Sequence, residues 1–564
     1  MADSDDFIGL NESLTKVLKD KEALEHNLNE FFLVTMAVII FFMQAGFAFL
    51  EAGSVRSKNT TNILLKNMVE SCIGGVFYWL IGWAFAFGTP SNAFIGYGEF
   101  ASPTEESYAM WFFQFVFAAT TSTIVSGAVA ERCDFIAFLM YSCFLVGFVY
   151  PVVTHWAWAD GGWLKTLGYQ DFAGSGVVHV VGGLFALVGA FMLGPRIGRF
   201  PKGQPPQRIQ GHSVALVALG GFILMYGFFA FNGGSQANIS TPGDGRVVAR
   251  AMFNTIISGA FSALAGLAIT RVRSGKWSLL VTINSALTGM VAICAGCNVV
   301  YHWGAAVIGA TAGCVYLGVS TAVAFAKIDD PLDAVGVHFG GGVWGVLMQP
   351  FFAKNTGIWF NFSQASGLGL AWNIIGLMAI IGWSLAWSLL IFGVLRATKL
   401  LRVSSEVELK GLDIFKHGEP VYPTAAYGHM WGDAWETSAV VGHPELEAMY
   451  GGNKNANSVG NAPMTVTQVY PVKQSSSPPS VIGGEAPVES SRVVRRVAPA
   501  PSTLPHKTQS TGAIGTFGGS PGPSLQAMIT PHPTQPQHPM FNGYYHPNMP
   551  PVQPPTQGTY FMNY

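Results

Sequence analysis

Asp171-Phe172-Ala173-Gly174-Ser175-Gly176-Val177-Val178-His179, running on to Gly182-Gly183, has a counterpart in Asp330-Pro331-Leu332-Asp333-Ala334-Val335-Gly336-Val337-His338, running on to Gly340-Gly341-Gly342. In each stretch a histidine stands eight residues after an aspartate, inside an apolar run, and glycines follow. Ionisable groups are costly in hydrocarbon, so those found there usually line a polar path. Two such histidines in matching contexts predict a pore lined by two related halves of an all-α polytopic membrane protein.

Composition agrees. Half of the 564 residues are hydrophobic and 11% are charged, where a soluble domain carries about 25% charged residues. The 67 glycines and 15 tryptophans fit close helix packing and interfacial anchoring. A net charge of -1 argues against nucleic acid as a partner, because phosphate binding needs clustered Lys and Arg. Cys294 and Cys297 form a CxxC without a second pair; they read as small packing residues, and no metal or cofactor is expected. With no P-loop, nucleophile elbow or HExxH-type motif near the histidines, an enzyme is not expected either.

A helix needs about 20 apolar residues to cross a bilayer. Eleven transmembrane helices are predicted, at about 31–53, 65–88, 109–130, 135–156, 172–194, 212–232, 249–271, 278–297, 302–326, 334–352 and 367–397. With the N-terminus outside, fifteen Lys and Arg fall in inner loops, and only Lys165, Arg246, Arg250 and Lys354 in outer ones. The positive-inside rule then sets N-out, C-in. His179 falls in span five and His338 in span ten. Five spans per half is an odd number, so the second half enters the membrane in the opposite sense. The halves form a 5+5 inverted repeat with one extra helix, a recurring transporter plan. The expected domains are an extracellular N-terminal segment (1–30), the transporter domain (31–397), a cytosolic C-terminal regulatory segment (398–455) and a disordered Pro/Ser/Gln-rich tail (456–564).

A neutral imidazole offers one donor and one acceptor nitrogen, which suits a small polar solute shedding its hydration shell. Two such rings fix each other's tautomers. Asp171 immediately precedes span five, where a carboxylate caps free backbone N–H groups and, if ionised, also supplies negative potential at the outer mouth. Both roles stay open. Asp330 is its inner counterpart, and Asp333, one turn deeper, does similar structural or electrostatic work. Phe113 and Phe117 share a face of span three. Trp158, Phe231 and Ser235 fall at the outer ends of spans four and six; taken singly, each aromatic here reads as an interface-belt or lipid-facing ring, while together aromatic faces can hold a cation at roughly 0.5–2 kcal/mol each and a serine oxygen adds an acceptor.

The 171–179 stretch resembles the signature of the ammonium transporter (Amt/Mep/Rh) family, Amt branch. The likeness extends through Gly46 to Asn67, Gly127 to Arg132, Phe231 to Ser235 and Asp329 to His338, over roughly residues 30–425. It implies a plasma-membrane homotrimer with one pore per subunit, carrying ammonium or ammonia, with methylammonium as an analogue. By the family's pattern Phe113, Trp158, Ser235 and Asp171 form the outer substrate site, Phe117 and Phe231 the gate, and His179 and His338 the twin pore histidines. Gly411 to Glu419 resembles the cytosolic motif that couples neighbouring subunits; Phe415 stands where plant members carry a phosphorylatable threonine, which moves any such regulation to Thr424 or to the tail, where cytosolic regulators are possible partners. The rival reading is an ammonium sensor that signals through the cytosolic tail.

Overall fold

The computed structural model describes residues 2–423. The expected disordered tail, Thr424 and most of the expected 398–455 segment lie outside the described residues. The described residues form helices joined by loops. Helix α1 (Ala2–Phe41) runs through Phe42 into α2 (Met43–Ser54). α3 (Thr60–Phe77) continues through a π-turn at Tyr78–Gly82 into α4 (Trp83–Ala86). α5 (Tyr108–Val129) follows, then α6 (Phe135–Phe144), joined by a π-turn at Leu145–Val149 to α7 (Tyr150–Trp158). Short α8 (Trp163–Leu167) precedes a π-turn, Ser175–Val180, that opens α9 (Val181–Leu193). The second half repeats the theme: α10 (Val214–Gly234), α11 (Asp244–Ser274), α12 (Leu279–Ile293), α13 (His302–Phe325), then a π-turn, Val335–Gly340, opening α14 (Gly341–Phe352). α15 (Gln364–Ala397) packs on α9 and α14, and α16 (Ser405–Lys410) follows it.

Among the described residues nine helical runs are long and apolar enough to cross a membrane, and there is no β-sheet. The two other predicted spans coincide with α12 and with the run 335–352. α12 stops short of the predicted boundary at 297. The carbonyls of Cys294 and Ala295, which would have continued it, instead accept the N–H groups of Ala173 (3.0 Å) and Phe172 (3.2 Å). Ser175 Oγ completes the junction, donating to Val291 O at 2.7 Å and accepting from Ala295 N at 2.8 Å. α12 thus trades its last turn for the loop that carries Asp171.

α5 is the innermost helix, every residue from Phe113 to Val129 being buried, whereas α11, α13 and α15 each keep an exposed face. The apolar faces left open on those outer helices, such as Phe261 and Leu264 on α11, are what a bilayer solvates. The chain is a multi-pass integral membrane protein.

The two histidine turns meet because of glycine. A Cβ on Gly183 would lie 2.3 Å from Phe339 N, and one on Gly342 would lie 2.4 Å from Ser175 O. Any side chain at either position drives the two half-helices apart. The relation is reciprocal: α9 packs on the His338 turn and α14 on the His179 turn.

On the predicted inner side the chain after α15 folds back onto the start of α3. Asp413 Oδ1 accepts from Asn62 N at 2.9 Å and Oδ2 from Thr61 N at 3.1 Å. It caps α3 from more than three hundred residues away in sequence, doing the work of a local N-cap. Leu412 N donates to Asn59 Oδ1 at 3.0 Å. Gly411 (φ +114) admits the close approach, since a Cβ there would meet Lys58 Cβ at 2.7 Å. Asp413→Ala is expected to cost about 1 kcal/mol, the usual loss for an N-cap carboxylate. Limited proteolysis should then cut within 405–420 faster than in wild type; equal cutting rates would refute the docking role.

Candidate functional site

Asp171 is buried, and backbone saturates its carboxylate. Oδ1 accepts from Gly174 N (3.1 Å) and Ser175 N (2.8 Å). Oδ2 accepts from Gly176 N (2.8 Å) and Val177 N (2.9 Å), with Tyr169 Oη donating at 3.4 Å. These four N–H groups belong to the first turn of the helix that carries His179. They converge on one residue because Gly174 adopts a left-handed conformation (φ +93), where a Cβ would also strike Val178 Cγ2 at 2.7 Å. Asp171 also fixes Trp158, whose Nε1 donates to Asp171 O at 2.8 Å.

The counterpart in the second half is looser. Asp330 Oδ2 accepts from Val335 N at 2.8 Å, while Oδ1 is buried without a hydrogen-bond partner. Asp333, three residues on, takes the left-handed position (φ +60) that Gly174 fills in the first half. Its Oδ2 accepts from Tyr316 Oη at 3.0 Å. The approximate symmetry read from sequence extends to backbone conformation.

The two pore-histidine candidates are in contact. His179 Nδ1 and His338 Nδ1 lie 3.1 Å apart, and the rings sit 5.2 Å apart, inclined by 22°. A hydrogen bond between two Nδ1 atoms requires one ring to carry its proton there and the other to carry it on Nε2. Both rings are neutral in that arrangement. His179 is fully buried and its Nε2 has no hydrogen-bond partner.

A file of rings leads to this pair. Phe113 lies 4.9 Å from Phe117, and Phe117 lies 4.2 Å from Phe231 with an interplanar angle of 31°. Trp158 meets Phe117 edge-on at 5.9 Å. Phe231 is 5.5 Å from His179, and Phe228 flanks the same imidazole at 5.8 Å. Phe113 also touches the end of α10, where a Cβ on Gly234 would be 3.0 Å from its ring. The next residue, Ser235, donates to Phe231 O at 2.8 Å. The structure therefore brings Phe113, Phe117, Trp158, Phe231, His179 and His338 into one continuous column. Asp171 stands beside it, behind Trp158.

Past His338 is a cavity of about 20 Å³ lined by Phe47, Glu51, Thr123, Asn284 and Leu332 among others. That is room for about one water. Sequence reasoning did not single out Glu51, although an acid inside the apolar run Gly46-Phe47-Ala48-Phe49-Leu50-Glu51 is the signal that drew attention to the histidines. Glu51 is buried; Asn67 Nδ2 donates to its Oε2 at 2.7 Å and Ser126 Oγ donates to its Oε1.

An ionic cluster beyond the His338 end of the column was also missed. Asp329 accepts from Arg196 Nε (2.7 Å), Nη2 (3.1 Å) and backbone N (2.9 Å), and Arg199 Nε lies 3.3 Å away. Arg132 Nη2 donates to Asp329 O at 2.6 Å. Glu131 bridges Arg196 (3.4 Å) and Arg56 (2.6 Å). Burial alone would raise the Asp329 and Glu131 carboxyls, but the neighbouring guanidiniums outweigh it and hold both below the ordinary carboxylate range.

The model of the Ammonium Transporter Family matches residues 31–422. The chain belongs to the ammonium transporter family. A Caenorhabditis elegans relative carrying an ammonium-transporter name is 52% identical over 435 residues, covering 72% of this chain and 81% of its own length. The Arabidopsis thaliana ammonium transporter 1 member 1 is 41% identical over 403 residues, covering 66% of this chain and 80% of its own. Among solved structures, that of a sensor Amt protein is 34% identical and superposes with a TM-score of 0.66, over 70% of this chain and 100% of the other. The resemblance seen in the 171–179 stretch thus holds over the whole described transmembrane region of this transporter.

Proposed function

We propose that this transporter carries ammonium across the plasma membrane as a homotrimer of eleven-span subunits, N-out and C-in. The single observation that supports the pore reading best is the column from Phe113 to His338, ending in the Nδ1–Nδ1 contact of 3.1 Å. The cation is recruited by Phe113, Trp158 and Ser235. It gives up its proton there to water of the outer vestibule, and ammonia passes the Phe117–Phe231 pair, whose 4.2 Å separation leaves no standing channel. The neutral histidine pair then replaces the lost water, one nitrogen donating and one accepting. Asp171 holds the turn and Trp158 in place, while Asp330 and Asp333 shape the inner turn.

Ammonium-evoked current and methylammonium uptake, measured together in cells lacking their own carriers, test the reading. Saturable uptake is expected; a surface-localised wild type that gives neither signal would overturn it. Current with uptake means that the proton crosses too, and uptake alone means net ammonia conduction. His179→Glu is expected to admit K+, because a fixed anion replaces a neutral ring and stabilises a bare cation. Unchanged K+ exclusion in that variant would defeat the proposed basis of selectivity.

The sensor reading has one observation in its favour, the likeness to a solved relative described as a sensor Amt protein. Deleting residues 456–564 tests it: a growth or morphology response lost while uptake persists would support signalling through the tail.

A further inference from the structure

We infer that the outward half of α1 is a coiled-coil strand whose partners are the same helices of neighbouring copies of this chain. α1 runs unbroken for 40 residues, about 60 Å at 1.5 Å per residue, roughly twice what a bilayer core needs. Asn29 pins it to its own subunit: Oδ1 accepts from Ile239 N (2.8 Å) and Ser240 N (3.1 Å), and Nδ2 donates to Ser240 Oγ (2.9 Å). Beyond that point the helix projects, and its apolar residues are not covered by its own chain.

Those residues follow a heptad. Phe7, Leu10, Leu14, Val17, Lys21, Leu24, Leu28 and Phe31 alternate at spacings of three and four. The seven apolar members are 71%, 67%, 54%, 61%, 67%, 44% and 69% exposed. A sustained 3.5-residue period is the signature of helices that supercoil around one another, because it keeps one seam facing the partner. An amphipathic helix packing on a globular surface or lying on a membrane follows a 3.6 period instead. Glu12, Lys16, Lys19 and Glu22 occupy the opposite, solvated face.

Charge placement selects identical, parallel and in-register partners. Lys21 is the one charged residue in the seam; Asp20 and Glu25 flank it at the g and e positions. Lys21 already pairs with Glu25 of its own helix at 2.9 Å. In a parallel assembly each Lys21 enters a hole bordered by the neighbour's Asp20, which neutralises a layer that would otherwise stack like charges. Past Thr35 the seam positions turn apolar again: Val38 and Phe42 are 56% and 50% exposed. A coil of just over three heptads is marginal on its own in water. Held by subunits already associated in the bilayer, it closes at high effective concentration. Its role is a clasp on the outer face of the oligomer.

Cysteine crosslinking of the full chain in membranes tests this. Leu24→Cys, in the seam, should form a disulfide-linked dimer under mild oxidation about tenfold faster than Lys19→Cys on the outer face, since bridging needs Cβ atoms within about 4.5 Å. Wild type supplies the background from the native cysteines. Equal rates at the two positions, no crosslink at Leu24→Cys, or a band of another mass that identifies a different partner would each overturn the proposal. As a second measurement, Leu14→Glu with Leu24→Glu should lower the detergent concentration at which the oligomer dissociates, with uptake retained. An unchanged dissociation point would also overturn it.

Discussion

Asp171→Ala is expected to abolish ammonium uptake at unchanged surface expression. The substitution strips acceptors from four backbone N–H groups at once. Each is buried, and a buried unsatisfied donor costs about 1–3 kcal/mol. The turn can recover part of this only by rearranging, and His179 and the Trp158 indole move with it. A shift of one ångström at the histidine pair breaks a 3.1 Å contact. Transport should fall by about a hundredfold or more, a loss of about 3 kcal/mol at the rate-limiting barrier. Asp171→Asn separates the two roles of this residue. Its carbonyl oxygen still accepts, but its NH2 group opposes the donors Gly176 and Val177, so uptake should be weak even though the side chain fills the same volume. If Asp171→Asn transports like wild type, neither the anchoring account nor a charge at the outer mouth survives.

The second large effect is structural. Asp329→Asn should destabilise the fold by about 3–5 kcal/mol, because it leaves Arg196 buried with half of its compensation gone. Thermal melting in detergent should show the loss directly. The same cluster predicts a pH dependence. Asp329 and Glu131 are held below their unfolded values. Their stabilisation is therefore present above the unfolded carboxylate pKa of about 4 and is lost as pH falls toward the lower folded values. Wild type should lose melting temperature on acidification below about pH 4, and Asp329→Asn should lose less over that window. A variant that melts at the wild-type temperature, with the same acid slope, would show that the cluster contributes nothing to stability.

Much of the site was legible because burial of an ionisable group in apolar sequence is rare and therefore informative. His179, His338 and Asp171 stand out on that ground, whereas the close crossing set by Gly183 and Gly342 emerges only from the packing. Phe113, Phe117, Trp158, Phe231 and Ser235 were not separable from interface aromatics by spacing; only the family resemblance picked them out, and only packing aligns the rings in one column. Glu51 carried the same signal as the histidines and went unread because it has no counterpart in the other half. Asp329 was masked by its neighbour Asp330, the residue at the symmetry position, although Asp329 holds the arginines.

What the chain alone determined is what depends on local order: apolar runs long enough to span a bilayer and a repeated Asp–His–Gly spacing. Those follow from the solvent each segment must face, which every residue meets independently. What only the tertiary structure decided is pairing across distance. His179 meets His338 across 159 residues, Arg196 meets Asp329 across 133, and Asp413 caps a helix 351 residues earlier. Hydrogen bonds and ion pairs act within about 3 Å and carry no trace along the chain. Which donor meets which acceptor is therefore set only once the helices have packed.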